Sequence, residues 1–139
     1  MTNVAIIGTE KSGKTSLAAN LGKKGTSSDI TMYNNDKESR KMVFVDPQSY
    51  PKALKPLITA LNISEMVILC IPPDGLDRDN PESVHTGECI IALDLLDFKH
   101  GIIALTKSDS THMYAVDELE KEINNDCWHF YSRTGNVFP

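Results

Sequence analysis

The stretch IIGTEKSGKTSLAANLG, from Ile6 to Gly22, decides the fold. An apolar run enters a segment in which two glycines, Gly8 and Gly13, bracket four residues. It leaves through Lys14 and Thr15 into a helical pattern. Gly8-Thr9-Glu10-Lys11-Ser12-Gly13-Lys14-Thr15 fits G-x-x-x-x-G-K-[ST] between a strand and a helix, the context that this motif requires. Glycine lets the backbone curl so that successive N–H groups converge on one concavity, a nest for anions. The start of the helix adds its positive dipole end. The spacing therefore predicts a phosphate cradle made of Gly8, Thr9, Glu10, Lys11, Ser12, Gly13, Lys14, Thr15 and Ser16. Lys14 would reach the β- and γ-phosphates, and the Thr15 hydroxyl would ligate Mg²⁺. A plain strand–helix turn with a solvated lysine is the structural alternative.

Outward from the cradle, short apolar runs alternate with helical patterns. Asn3–Ile7 reads as a buried strand and Lys14–Leu21 as the helix after it. Ile30–Asn34 and Lys41–Val45 flank the polar turn Asn35–Ser39 and predict an antiparallel hairpin. Pro51–Leu61 is a weaker helix, because Pro56 lies too far inside it for a first-turn proline. Glu65–Pro72 is a second buried strand and Leu76–Ser83 a loop. His85–Leu96 is helical, with Ile90, Ile91, Leu95 and Leu96 near one face. Gly101–Leu105 is a strand, Met113–Asn124 an amphipathic helix and Trp128–Ser132 a last strand. Continuously apolar strands alternating with helices imply an α/β fold of three α/β/α layers, with a mostly parallel sheet and one antiparallel hairpin strand.

The 139 residues fit one domain. A net charge of −5 gives no reason to expect binding to DNA, RNA or an acidic membrane. It argues against tRNA binding by this chain alone. Cys70, Cys89 and Cys127 lack the paired spacing of a zinc site and read as buried reduced thiols. The four histidines show no metal spacing. The apolar run at Val4–Ile7 is too short for a signal peptide, and no segment is long enough to cross a bilayer. A cytoplasmic protein is expected.

Ligands of parallel sheets bind at the carboxyl ends of strands, and two further groups fall there. Asp46 ends KMVFVD, where a carboxylate can hold a water on Mg²⁺. Thr106-Lys107-Ser108-Asp109 follows the strand Gly101–Leu105. A carboxylate at Asp109 can accept two parallel hydrogen bonds from the N1–H and 2-amino edge of guanine, whereas adenine offers no such donor pair. The stem of Lys107 can lie along the purine face.

Together these residues resemble the GTP-binding domain of the translational GTPases, the group of elongation factor Tu and the selenocysteine-specific factor SelB. The resemblance is strongest to the SelB-like elongation factors of methanogenic archaea. It covers nearly the whole chain. LITALNISEMVILCI (Leu57–Ile71) is similar to the family's M-I-T-G-A helix and the strand after it, and Asp74-Gly75 to its D-G turn. HTGECIIAL (His85–Leu93) is similar to Q-T-R-E-H-L-L-L-A, and GIIALTKSD to K-I-V-V-F-L-N-K-V-D. The resemblance implies GTP or GDP and Mg²⁺ as ligands, with Thr15, Asp46 and Thr26 around the metal. Thr26 stands at the switch-one G-I-T-I threonine, whose isoleucine is missing; Thr31 could serve instead. Ser132-Arg133-Thr134-Gly135 resembles the base-supporting S-A-x-x-G loop, placing Ser132 at the base. The implied partners are the ribosome and aminoacyl-tRNA, through β-barrel domains that would follow this G domain; its last helix is also expected to be missing.

The departures concern hydrolysis. The family's D-C-P-G-H is here Asp46-Pro47-Gln48-Ser49-Tyr50, so Ser49 and Tyr50 occupy the places of the glycine and the water-positioning histidine. A phenol with a pKa near 10 is a poor base at neutral pH. Lys11 stands where the family's G-H-V-D-H-G-K-T carries aspartate. The catalytic group is therefore unknown. Three readings follow: a slow, partner-dependent GTPase; a truncated, non-hydrolysing guanine-nucleotide module that acts by binding a partner; and a small-molecule kinase. The Thr106–Asp109 segment and the lack of a basic lid count against the kinase.

Overall fold

The computed structural model describes residues 1–25, 28–36, 40–107, 121, 137 and 138. The sequence expectations on Thr26, Asp109, Ser132, the helix Met113–Asn124 and the strand Trp128–Ser132 lie outside these residues.

The β1 strand (Thr2–Gly8) leads into α1 (Lys14–Leu21), then the short β2 (Lys23–Lys24), β3 (Thr31–Asn35) and β4 (Met42–Asp46). After α2 (Lys55–Asn62) come β5 (Met66–Ile71), α3 (Ser83–Leu95), β6 (Gly101–Leu105) and β7 (Val137–Phe138). The strands form one sheet in the order β2-β3-β4-β1-β5-β6-β7. β3 runs antiparallel to both of its neighbours, with Thr31 opposite Asp46, while β4, β1, β5, β6 and β7 pair in parallel. The expected hairpin strand is thus the one reversed strand among the described strands of an otherwise parallel sheet.

Continuous apolarity in β1 follows from burial on both faces. Val4 and Ile6 pack with Ala18, Tyr33 and Phe44 on the α1 side. Ala5 and Ile7 pack with Leu57, Leu61, Leu69 and Leu93 beneath α2 and α3. A strand covered on both sides has no polar face, so its sequence does not alternate. Because β4, β1, β5 and β6 run the same way, Asp46, the cradle, Pro72 and Thr106 emerge on one edge. The Thr106 amide donates to Ile71 O at 3.0 Å, fastening two of those strand ends together.

Two helix expectations are corrected. α2 begins at Lys55, after turns at 48–52, so Pro56 does lie in its first turn. There its missing N–H has no intrahelical partner to lose, and it does not loosen the helix. In α3 the inward side is Thr86, Cys89, Ala92 and Leu93, with Ile90 packed against it. Ile91 and Leu95 point outward, 60% and 78% exposed. The short polar and small residues Thr86 and Cys89 sit at helical spacing with Leu93, and counting large apolar residues alone chose the wrong side. β7 is two residues long, too short for any alternation to announce it.

Candidate functional site

Residues 9–13 make the turn between β1 and α1, and each flanking glycine has its own physical reason. A Cβ on Gly8 would lie 2.8 Å from the backbone oxygen of Cys70 and 2.6 Å from Ser12 Oγ, so the close strand approach excludes a side chain. Gly13 has φ +85, in the left-handed region, at the N-cap of α1, where residues with a Cβ are strained. No side chain among the described residues caps that helix, so its first-turn amides have no capping partner there. Ser12 N donates to Thr9 O at 3.2 Å and closes the loop.

Lys14 is 7% exposed. Its Nζ donates to Gly8 O and Thr9 O at 3.4 Å and to Tyr50 O at 3.3 Å. The ammonium is thus held over the loop by three neutral carbonyls. Thr15 Oγ1 donates to Asp46 Oδ2 at 2.9 Å, joining the start of α1 to the end of β4. Asp46 is fully buried, and its Oδ1 has no hydrogen-bond partner among the described residues. Burial raises the Asp46 pKa above the ordinary 3.8, against the Thr15 hydrogen bond, the Lys14 charge and a hydrogen bond from Gln48.

Three hydroxyls at the same edge are buried without a partner among the described residues: Ser12 Oγ, Thr31 Oγ1 and Thr106 Oγ1. Buried polar atoms are nearly always satisfied by protein, water, ion or ligand. Thr31 lies directly across the ladder from Asp46, on the same face. Thr15, Asp46 and Thr31 therefore supply hard oxygen donors suited to Mg²⁺, and the orphaned Asp46 oxygen fits such an ion.

Ionised Asp46 opposes folding because its folded pKa lies above its unfolded one. The penalty is absent below the ordinary carboxylate pKa and complete once pH has risen past the folded value. Asp46→Asn is therefore expected to raise the melting temperature of the nucleotide-free protein at neutral pH. The same change should weaken Mg²⁺-dependent nucleotide binding by ~10-fold or more. Thermal melts with and without nucleotide and Mg²⁺ check both signs.

The hydroxyls at the two hydrolysis positions bond to other segments. Tyr50 is 2% exposed, packed in the core beneath α3. Its hydroxyl donates to His85 O at 3.0 Å, and burial pushes its pKa well above the usual phenol value. Ser49 N donates to Asp29 O at 3.3 Å and Ser49 Oγ to Asp29 Oδ1 at 2.8 Å. This tie spans 20 residues, which no local pattern could reveal.

At the far side of the cradle, Lys107 has φ +57 and its Nζ donates to Lys11 O. The end of β6 is thus pinned to the phosphate loop. Lys107 also lines a cavity of about 490 Å³ with Thr9, Lys11, Pro72 and Asp74. Cys70 and Cys89 are free and buried, as expected, and burial pushes both thiols up to about 12. His85 sits with Nδ1 2.8 Å from Glu88 Oε1 and its ring edge-on to Tyr50, a packing histidine. No helix among the described residues is long and apolar enough to cross a membrane.

A phosphate loop, a strand-end carboxylate tied to the loop threonine and a parallel sheet wound on both sides define a P-loop nucleotide-binding fold. Within that class, the fold is that of SelB-like translational GTPases. Translation elongation factor SelB from Methanococcus maripaludis, in complex with the GTP analogue GppNHp, superposes with a TM-score of 0.79. It does so at 20% identity, over 99% of this chain and 29% of that one. A bacterial selenocysteine-specific elongation factor, EF-Sec, gives 0.80 at 21% identity, over 99% and 25%. No family model matches the sequence. An uncharacterized protein of Methanocaldococcus jannaschii is 36% identical over 81 residues, which is 58% of this chain and 24% of the relative. The chain thus spans about a quarter of the length of the curated relative it matches.

Proposed function

We propose that this chain is a guanine-nucleotide switch domain of a SelB-like elongation factor, binding GTP and GDP with Mg²⁺ and hydrolysing GTP slowly. The observation that carries this reading is the joint placement of Lys14, the Thr15–Asp46 hydrogen bond and the Lys107–Lys11 contact on one sheet edge. One nucleotide could run from the cradle to the residues after β6. The amides from Gly8 to Ser16 and Lys14 would hold the phosphates. Thr106, Lys107, Asp109 and Ser132 would hold the base. Thr15 and Asp46, with Thr31 or Thr26, would hold Mg²⁺, which supplies charge neutralisation at the β- and γ-phosphates.

The second reading is a guanine-nucleotide module that does not hydrolyse and works by partner binding. It is favoured by Tyr50 and Ser49, whose polar groups are occupied by His85 and Asp29. Neither side chain is free to order an attacking water. Action in the cytoplasm, and delivery of aminoacyl-tRNA to the ribosome through further domains, belong to the SelB-like reading.

A single-turnover GTPase assay separates the two. Alone, the chain should hydrolyse GTP at or below ~10⁻³ s⁻¹, the intrinsic range of partner-dependent P-loop GTPases. Stimulation by ribosomes supports the switch; no stimulation in the presence of bound GTP supports the module. A rate of ~1 s⁻¹ or more without a partner overturns both.

A further inference from the structure

We propose that Lys11 and Lys52 form a clamp on the terminal phosphate, making the site select a nucleoside triphosphate over a diphosphate. The inference rests on the nucleotide reading above and extends it to residues that reading leaves unused. Beyond the cradle lies a cavity of about 190 Å³ whose lining includes Lys11, Lys14, Lys52, Thr15 and Gln48, with Glu10 as its one carboxylate. Three lysines and one carboxylate residue therefore line it.

Lys14 spans the β- and γ-phosphate positions of a P-loop, so it cannot by itself tell a triphosphate from a diphosphate. The other candidates from sequence are engaged elsewhere. Ser49 gives its amide and hydroxyl to Asp29, and Tyr50 gives its hydroxyl to His85. Lys11 and Lys52 are the remaining cations on this cavity.

Both come from tethered backbone. Lys11 sits at the crest of the loop with φ +59, and its carbonyl accepts from Lys107. Lys52 lies two residues after Tyr50, whose carbonyl accepts from Lys14. Neither ammonium forms an ion pair among the described residues. Ser12 Oγ and Asp46 Oδ1, buried and without a hydrogen-bond partner among the described residues, mark the same edge as built for a ligand. Hydrogen bonds to charged groups are worth more than neutral ones. A terminal phosphate entering this cavity meets two cations that a diphosphate does not reach.

The test is affinity for GDP and for a non-hydrolysable GTP analogue, with Mg²⁺, for wild type, Lys52→Gln, Lys11→Gln and the double variant. Each single change should lower the triphosphate-to-diphosphate affinity ratio by ~10-fold, the size of one charge-assisted contact discounted for exposure. The double variant should bring the ratio close to one, and Lys52→Arg should keep it. In the wild type, inorganic tripolyphosphate should bind at least ~10-fold tighter than pyrophosphate, a comparison that needs no variant. An unchanged ratio in variants that still bind GDP overturns the clamp and leaves the nucleotide reading standing. Equal loss of both nucleotides also overturns it, since the lysines would then serve the shared phosphates. A wild type that binds neither nucleotide removes the clamp and the reading together.

Discussion

Lys14→Ala is expected to weaken binding of GDP and GTP by more than ~100-fold, read by isothermal titration or by loss of nucleotide-induced stabilisation. The side chain is almost wholly buried, and its ammonium rests on the carbonyls of Gly8, Thr9 and Tyr50. It therefore arrives at the phosphates already desolvated and positioned, with little entropy left to lose. Removing one partner of a buried charge pair costs 2–5 kcal/mol, and ~3 kcal/mol corresponds to the stated factor. The nucleotide-free protein should change little by comparison, because the loss there is three long contacts to neutral carbonyls. A variant that bound GDP within ~5-fold of wild type, about 1 kcal/mol, would show that the cradle is not where phosphate sits.

Asp109→Asn should abolish the preference for guanine, by ~100-fold or more in GDP affinity. The carboxylate offers two acceptors to the two donors of the guanine edge. The amide keeps one acceptor and turns the other into a donor that meets the 2-amino group head-on. Sites built around hydrogen bonds discriminate strongly because a mismatch leaves buried polar groups unpaired. The same variant should gain affinity for a 2-oxo purine nucleotide, xanthosine diphosphate. Competition between GDP, ADP and xanthosine diphosphate reads all three effects in one experiment.

Most of the frame was legible because it depends on short-range rules. The β1–α1 turn follows from two glycines and a lysine, and the boundaries of α1 and β6 fall where the pattern put them. The reversed β3 followed from two runs flanking a polar turn. What escaped depends on contacts between distant segments. The buried side of α3 is chosen by what α2 and the sheet leave uncovered, so Cys89 and Thr86 face inward while Leu95 does not. Pro56 was placed in a helix interior because the turns at 48–52 carry no glycine to mark where the helix begins.

The site was legible in the same unequal way. Lys14 and Thr15 follow from the glycine-lysine motif and Asp46 from strand-end chemistry; Thr15 and Asp46 are hydrogen-bonded, and the Lys14 charge acts on Asp46. That Tyr50 and Ser49 depart from a hydrolytic pattern was visible in the letters. Where their polar groups go was not, since His85 and Asp29 lie 35 and 20 residues away. Lys52 carried no signal at all and became notable only as a wall of the cavity.

The claim on which the account turns is that one guanine nucleotide spans the phosphate cradle and Asp109. Titrating GDP and ADP separately into the purified chain with Mg²⁺ tests it most directly. The account predicts saturable 1:1 binding of GDP, ~100-fold or more tighter than ADP. Equal affinity for the two, or a preference for ADP, would contradict it.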